Sequence, residues 1–129
     1  MTLRPDRLPL SLRLGAYGFA VAVLLYLTLA PGKDLPQEHL WDKAEHAIAW
    51  AVLTAIGVVL WPLRPGRIAG FAFALGALVE LLQWAMPYGR DGDVHDLIAD
   101  SVGIAAILLV WAIVRLIVRR VMSRRPLEA

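Results

Sequence analysis

The chain contains no cysteine, which excludes disulfides, thiolate-bound metals and thiol nucleophiles at once. Charge is sparse, with 19% of the 129 residues Asp, Glu, Lys or Arg, against ~25% in an average soluble domain. Between Leu14 and Ala30 there is no charged residue at all. No stretch alternates apolar and polar residues as a membrane β-barrel strand would. Internal repeats, low-complexity tracts and linkers are also missing, so residues 1–129 read as a single domain. There is no P-loop, dinucleotide glycine fingerprint or HExxH pair, and Ser101 has no nucleophile-elbow context. The basic stretch at the end of the chain is short and has no aromatic platform, so nucleic acid is not expected as a partner.

What the chain has is apolar sequence. Hydrophobic residues make up 59% and mean hydropathy is +0.62, whereas soluble domains lie near ~45–50% apolar. Four runs stand out: Leu14–Ala30, Ala44–Pro62, Ile68–Pro87 and Leu97–Val118. Each approaches the ~20 residues a helix needs to cross about 30 Å of hydrocarbon. Lipid leaves unpaired backbone groups unsatisfied, so the runs predict an all-α polytopic membrane protein, a four-transmembrane-helix bundle. Pro62, Pro65 and Gly66 mark a tight turn between the second and third helices. The first run follows three arginines, as a signal peptide would. Thr28-Leu29-Ala30 does not form a small-x-small cleavage site, however, so the segment is expected to stay as a helix.

Ten of the 13 Lys and Arg fall on one side of this topology: Arg4, Arg7 and Arg13, then Arg64 and Arg67, then Arg115, Arg119, Arg120, Arg124 and Arg125. The positive-inside rule therefore places both termini in the cytoplasm. Arg115 would snorkel to the inner headgroups, and a basic cytoplasmic tail over residues 119–129 would anchor to anionic lipid. Trp61 fits the inner aromatic belt, and Trp41 and Trp84 the outer one. Of the 11 acids only Asp6 and Glu128 are on the inner side.

The outer ends of three helices carry the chemistry. Asp42 and Lys43 share a helical face with His46. Glu80 and Gln83 share another, with Ala72 and Gly76 directly below them, where small residues let a neighbouring helix approach. Counting back from Pro87, Glu80 sits on the order of 10 Å inside the boundary. Asp93, Asp96, Asp100 and Gly103 form one stripe on the fourth helix. Asp42, Glu45, Asp93 and Asp96 each lie where an ordinary N-terminal cap would serve. Glu80 does not, since an intramembrane charge costs ~2.5–3.5 kcal/mol on insertion scales and normally pairs or lines a cavity. The expected cluster is Asp42, Lys43, His46, Glu80, Gln83, Arg90, Asp96 and Asp100, opening outward with Glu80 at its floor. Whether Glu80 is charged or neutral is left open. The first helix is expected to contribute packing through Gly15, Ala16 and Gly18. His39 and His95 read as solvated loop residues.

In this order the motifs resemble the VanZ-like family of small bacterial membrane proteins. The family pattern is Asp-Lys-x-x-His, then Glu-x-x-Gln, then Pro-x-x-Arg, a following Asp, and a later Asn or Asp ahead of Gly. It falls here on Asp42, Lys43 and His46; Glu80 and Gln83; Pro87 and Arg90; Asp96, Asp100 and Gly103. Asp100 stands where many members have Asn, and Pro-Tyr-Gly-Arg where many have Pro-Gly-Arg. The resemblance implies a multi-pass protein of the bacterial cytoplasmic membrane. The founding member is associated with low-level resistance to teicoplanin, a glycopeptide that binds cell-wall precursors at the outer face of that membrane.

Three functions are compatible with these residues. One is an envelope-modulating protein whose cluster binds membrane lipids, a lipid-linked cell-wall precursor or another anionic headgroup, with Lys43 and Arg90 on phosphate. Another is a small membrane enzyme using His46 or Glu80 as base. The third is a proton-coupled oligomer using Glu80 and Asp100, although no polar stripe continues through the inner halves of the helices. An oligomer is compatible with all three. A metal site built from His46, Asp42 and Glu80 would be oxygen-rich and carries no recognised signature, so neither metal nor cofactor is expected. The first function is favoured.

Overall fold

The computed structural model describes residues 7–30, 42–86 and 92–123. They form four helices: α1 (Leu10–Leu29), α2 (Asp42–Leu60), α3 (Pro65–Ala85) and α4 (Val94–Ser123). All four are long and apolar enough to cross a membrane, and no strand occurs among the described residues. The fold is the expected all-α, four-span bundle.

The ends of the helices differ from the apolar runs for local reasons. α2 stops at Leu60, two residues before Pro62, because a proline disfavours helical backbone in the residue before it. α3 begins on Pro65 itself; a first-turn proline gives up an N–H that no carbonyl would have taken. α4 starts at Val94 and runs 30 residues. Its start is set by Asp93, whose side-chain Oδ1 accepts the His95 N–H at 2.9 Å, an N-cap bond. Its end is later than expected, so Arg119 and Arg120 join Arg115 on α4 itself. Residues 124–129 of the expected tail lie outside the described residues.

α2 and α4 make the most extensive pairing, with α3 against both. The reason is visible at Gly103. A Cβ there would run into the Ala47 carbonyl oxygen and come within 3.0 Å of the Ala51 nitrogen, so the two backbones touch only because Gly103 has no side chain. The core is built from Trp50, Leu53, Leu60, Ala72, Leu75, Val79 and Ile104, joined by Tyr17 and Leu24 of α1.

α1 rests on α2 and α3 and, among the described residues, not on α4. It does not pack through Gly15, Ala16 and Gly18, which all face outward; nothing lies within 4 Å of a Cβ placed at Gly15 or Gly18. The buried stripe is Tyr17, Leu24 and Thr28. Large side chains remove more apolar surface from contact with the surroundings and offer more dispersion contacts than glycines do. Tyr17 alone meets Trp61 edge-on at 5.6 Å and Phe71 at 5.8 Å.

Candidate functional site

At the end of the bundle where α2 and α4 begin and α3 finishes, polar side chains from all three helices converge. The close approach at Gly103 brings the first turns of α2 against α4. Lys43 Nζ donates to Asp93 Oδ2 at 2.8 Å and also to Asp96 Oδ1. One turn deeper, His46 Nδ1 lies 3.0 Å from Asp100 Oδ1, and its Nε2 lies 3.8 Å from Asp96 Oδ2. A carboxylate only accepts hydrogen bonds, so in this pair Nδ1 is the donor to Asp100. Two further turns of α2 are then dry: Trp50 and Thr54 are fully buried.

Asp100 is itself fully buried. Room for it comes from α3, where a Cβ at Gly76 would sit 2.8 Å from Asp100 Oδ2 and 3.0 Å from Trp50 Nε1. Trp50 stacks on His46, with ring centroids 5.8 Å apart, and donates its indole N–H to the Ala72 carbonyl at 2.9 Å. The small residues below Glu80 thus admit a tryptophan and a carboxylate. Trp50 was not among the expected site residues. Its signal was available, since position 50 is one turn below His46 on the same face.

Glu80 is not the floor of the cluster. Its Oε2 accepts the backbone N–H of Asp93 at 2.8 Å, so it reaches the entrance to α4, while the deepest group is Asp100. An acid that stops the exposed N–H groups at a helix start replaces the water they would otherwise need. Asp93, read from sequence only as part of a stripe and a possible cap, proves to be a junction. It caps α4, receives Lys43, and gives its own N–H to Glu80. The Lys43 ammonium, helped by the two bonds from His95, holds its carboxyl well below the usual carboxylate range.

Of the expected cluster, Lys43, His46, Glu80, Asp96 and Asp100 come together. Gln83 does not join them. It turns to α1 and donates to the Thr28 carbonyl at 2.8 Å, buried, in the last turn of that helix. Arg90 and the side chain of Asp42 lie outside the described residues, as does Pro87. Glu45 is exposed. His95 sits in the first turn of α4 and not in a loop, exposed, with Nδ1 2.8 Å from Asp93 Oδ1.

Among the described residues, two carboxylate oxygens are buried with no hydrogen-bond partner, Glu80 Oε1 and Asp100 Oδ2. His46, Glu80 and Asp100 each offer a ligand atom, and these atoms lie within 4.8 Å of one another. The opposite end of the bundle is different in kind: Arg13 lies over the Trp61 ring at 4.8 Å and Arg115 over Trp111 at 5.0 Å.

Comparison with known proteins agrees with the ordered motifs. A family profile described as VanZ/LLP1 matches residues 35–115, which takes in α2, α3, the cluster and most of α4. Neither a curated protein nor a solved structure matches the chain. The match covers more than half of the sequence, and the chain belongs to the VanZ-like family of membrane proteins.

Proposed function

We propose that this protein acts on the envelope from the bacterial cytoplasmic membrane, with both termini in the cytoplasm and the cluster in the outer leaflet. There it receives the polar headgroup of a lipid or of a lipid-linked cell-wall precursor, and so alters susceptibility to glycopeptide-type antibiotics. The orientation is supported by the arginines, since Arg13, Arg64, Arg67, Arg115, Arg119 and Arg120 belong to the end away from the cluster. Reporter fusions active only outside should work at Gly32 and Gly92 and fail at Gly66 and Ala129. Activity at Gly66 would reverse the assignment.

The observation that carries the headgroup reading is the convergence itself. Polar side chains from three helices meet at one membrane face of the bundle. Such groups within a membrane pair with one another or serve a ligand. Lys43 Nζ lies near the rim, held in place by Asp93 and Asp96. Native mass spectrometry of the protein extracted with its lipids tests the reading. A retained headgroup class that is lost in Lys43→Ala and His46→Ala, at unchanged membrane abundance, supports it. Wild-type retention in both variants removes it.

A second reading rests on one contact. The 3.0 Å His46–Asp100 pair leaves Nε2 available as a general base, the arrangement a hydrolytic membrane enzyme would use. Turnover of an isolated headgroup, abolished in His46→Ala, would favour it over simple binding.

A further inference from the structure

The charge balance of the cluster does not suit an anion on its own. Among the described residues, Glu80, Asp93, Asp96 and Asp100 face Lys43 and His46, with the exposed His95 beside Asp93. Lys43 is engaged by Asp93 and Asp96. Around His46 that leaves two further carboxylates, Glu80 and Asp100, each with a buried oxygen that nothing hydrogen-bonds. An unpaired carboxylate oxygen in a dry interior loses its hydration with nothing in return. Asp100 has no exposed surface at all, and its free Oδ2 is turned towards Gly76, one turn below Glu80 on α3.

We infer that His46, Glu80 and Asp100 form a binding site for a divalent transition-metal ion of the zinc or manganese class, one ion per chain. The three residues come from three different helices, yet their ligand atoms lie within 4.8 Å of one another. Ligands about 2.0–2.2 Å from a tetrahedral ion are on the order of 3.4 Å apart. Small side-chain rotations therefore close the site without moving a helix. Two carboxylates and a neutral imidazole balance a doubly charged ion, which neither Lys43 nor a proton on His46 can do for both acids. One nitrogen with two oxygens suits zinc or manganese better than calcium or magnesium, which favour all-oxygen shells. The surroundings are also those of a metal site. Trp50 stacks on the imidazole and so orients the ring, and Asp96, 3.8 Å from Nε2, is itself held by Lys43.

The inference does not depend on the headgroup reading. If both hold, the ion adds positive charge to the acids of the described cluster, and its open positions would take a phosphate oxygen.

The test uses the full chain in detergent, freed of any polyhistidine tag, stripped with EDTA and dialysed. Calorimetric titration with zinc and manganese chlorides, with magnesium and calcium as comparators, gives affinity, and elemental analysis gives stoichiometry. One zinc or manganese ion per chain is expected, bound at least about tenfold more tightly than magnesium or calcium. Asp100→Asn and Glu80→Gln should each weaken it by about 100-fold, on the scale by which even the outer partners of a metal site matter. Glu45→Gln, an exposed acid on the same end of α2, should leave it unchanged. Because a substitution at Asp100 can also harm folding, wild type is read separately: zinc should raise its thermal midpoint, and cobalt should give the visible absorption of nitrogen and oxygen coordination. No binding up to about 1 mM, or binding that survives all the substitutions, overturns the inference. No lipid is added in the titration and headgroup retention is read separately, so ion binding can fail while headgroup retention stands, and the reverse.

Discussion

The two ends of the bundle solve the membrane problem in opposite ways. At the end with the cluster, charged groups face inward and are matched to one another across helices: Lys43 to Asp93 and Asp96, His46 to Asp100, and Glu80 to the start of α4. At the other end they face outward. Arg13 and Arg115 lie on the faces of Trp61 and Trp111, an arrangement that keeps a guanidinium near the interface with an apolar body beneath it. Apolar residues on α4 such as Leu109, Ile113, Ile117 and Met122 stay exposed for lipid. The basic end therefore tolerates change, since its described arginines rest on separate aromatic faces. The acidic end does not, because each group there is the partner of another.

Substitutions that probe this contrast should fall in a clear order of effect. The largest is expected at Gly103, where any side chain meets the α2 backbone at Ala47. Gly103→Val should remove folded protein from the membrane, while Gly18→Ala, with open space around it, should not. Membrane abundance and size-exclusion profiles of the pair measure the difference. Asp100→Ala comes next. It leaves His46 without the carboxylate 3.0 Å from Nδ1, and breaking one side of a buried pair costs about 3–5 kcal/mol. Denaturation in detergent should show that loss, and Asp100→Asn should recover part of it.

Gln83→Leu is a test of middling size. It removes the buried bond to the Thr28 carbonyl, for about 1–3 kcal/mol. It should loosen α1 without changing metal or headgroup binding. Altered binding would mean that Gln83 belongs to the cluster after all. The smallest effect concerns pH at the rim. The Asp93 carboxyl is held below its ordinary range by Lys43, so its share of stability is present above the unfolded carboxylate value of about 3.9. That share is lost as pH falls towards the lower folded value. Thermal midpoints between pH 6 and 3 should fall more steeply in wild type than in Asp93→Asn. Parallel curves would show that the ion pair contributes nothing to stability.

The number and kind of helices could be read from the sequence because lipid permits so few alternatives. Four apolar runs of sufficient length leave little else to form. The motif residues were also legible as a set, because i, i+3 and i+4 spacing placed Lys43 with His46 and Asp96 with Asp100 before any contact was known. Their partners were not. Spacing within one helix gives no register between helices, and it is the α2–α4 contact at Gly103 that decides that Lys43 meets Asp96 and His46 meets Asp100. Gln83 was misread for the same reason: its side chain reaches the Thr28 carbonyl in the last turn of α1, a contact that no spacing within α3 announces. The packing face of α1 was misread because glycine is a signal of close approach only where a neighbour is present, and at Gly15 and Gly18 none is.

The length of α4 has a mechanical consequence. Its 30 residues span about 45 Å at 1.5 Å per residue, against about 30 Å of hydrocarbon. α2 and α3, with 19 and 21 residues, are cut to that thickness. Because the first turns of α4 are pinned by Lys43, His46 and Glu80, the excess emerges at the opposite face, carrying Arg115, Arg119 and Arg120 with it. Mismatch between a helix and its bilayer is relieved by tilting or by local deformation of the lipid. With one end fixed, tilting α4 would strain the cluster, so the chain should be sensitive to the thickness of the membrane that holds it. A thinner bilayer exposes more of the basic segment, and a thicker one draws Arg115 towards hydrocarbon. The site on one face of the membrane is thus coupled, through a single unbroken helix, to how much lipid lies beneath it.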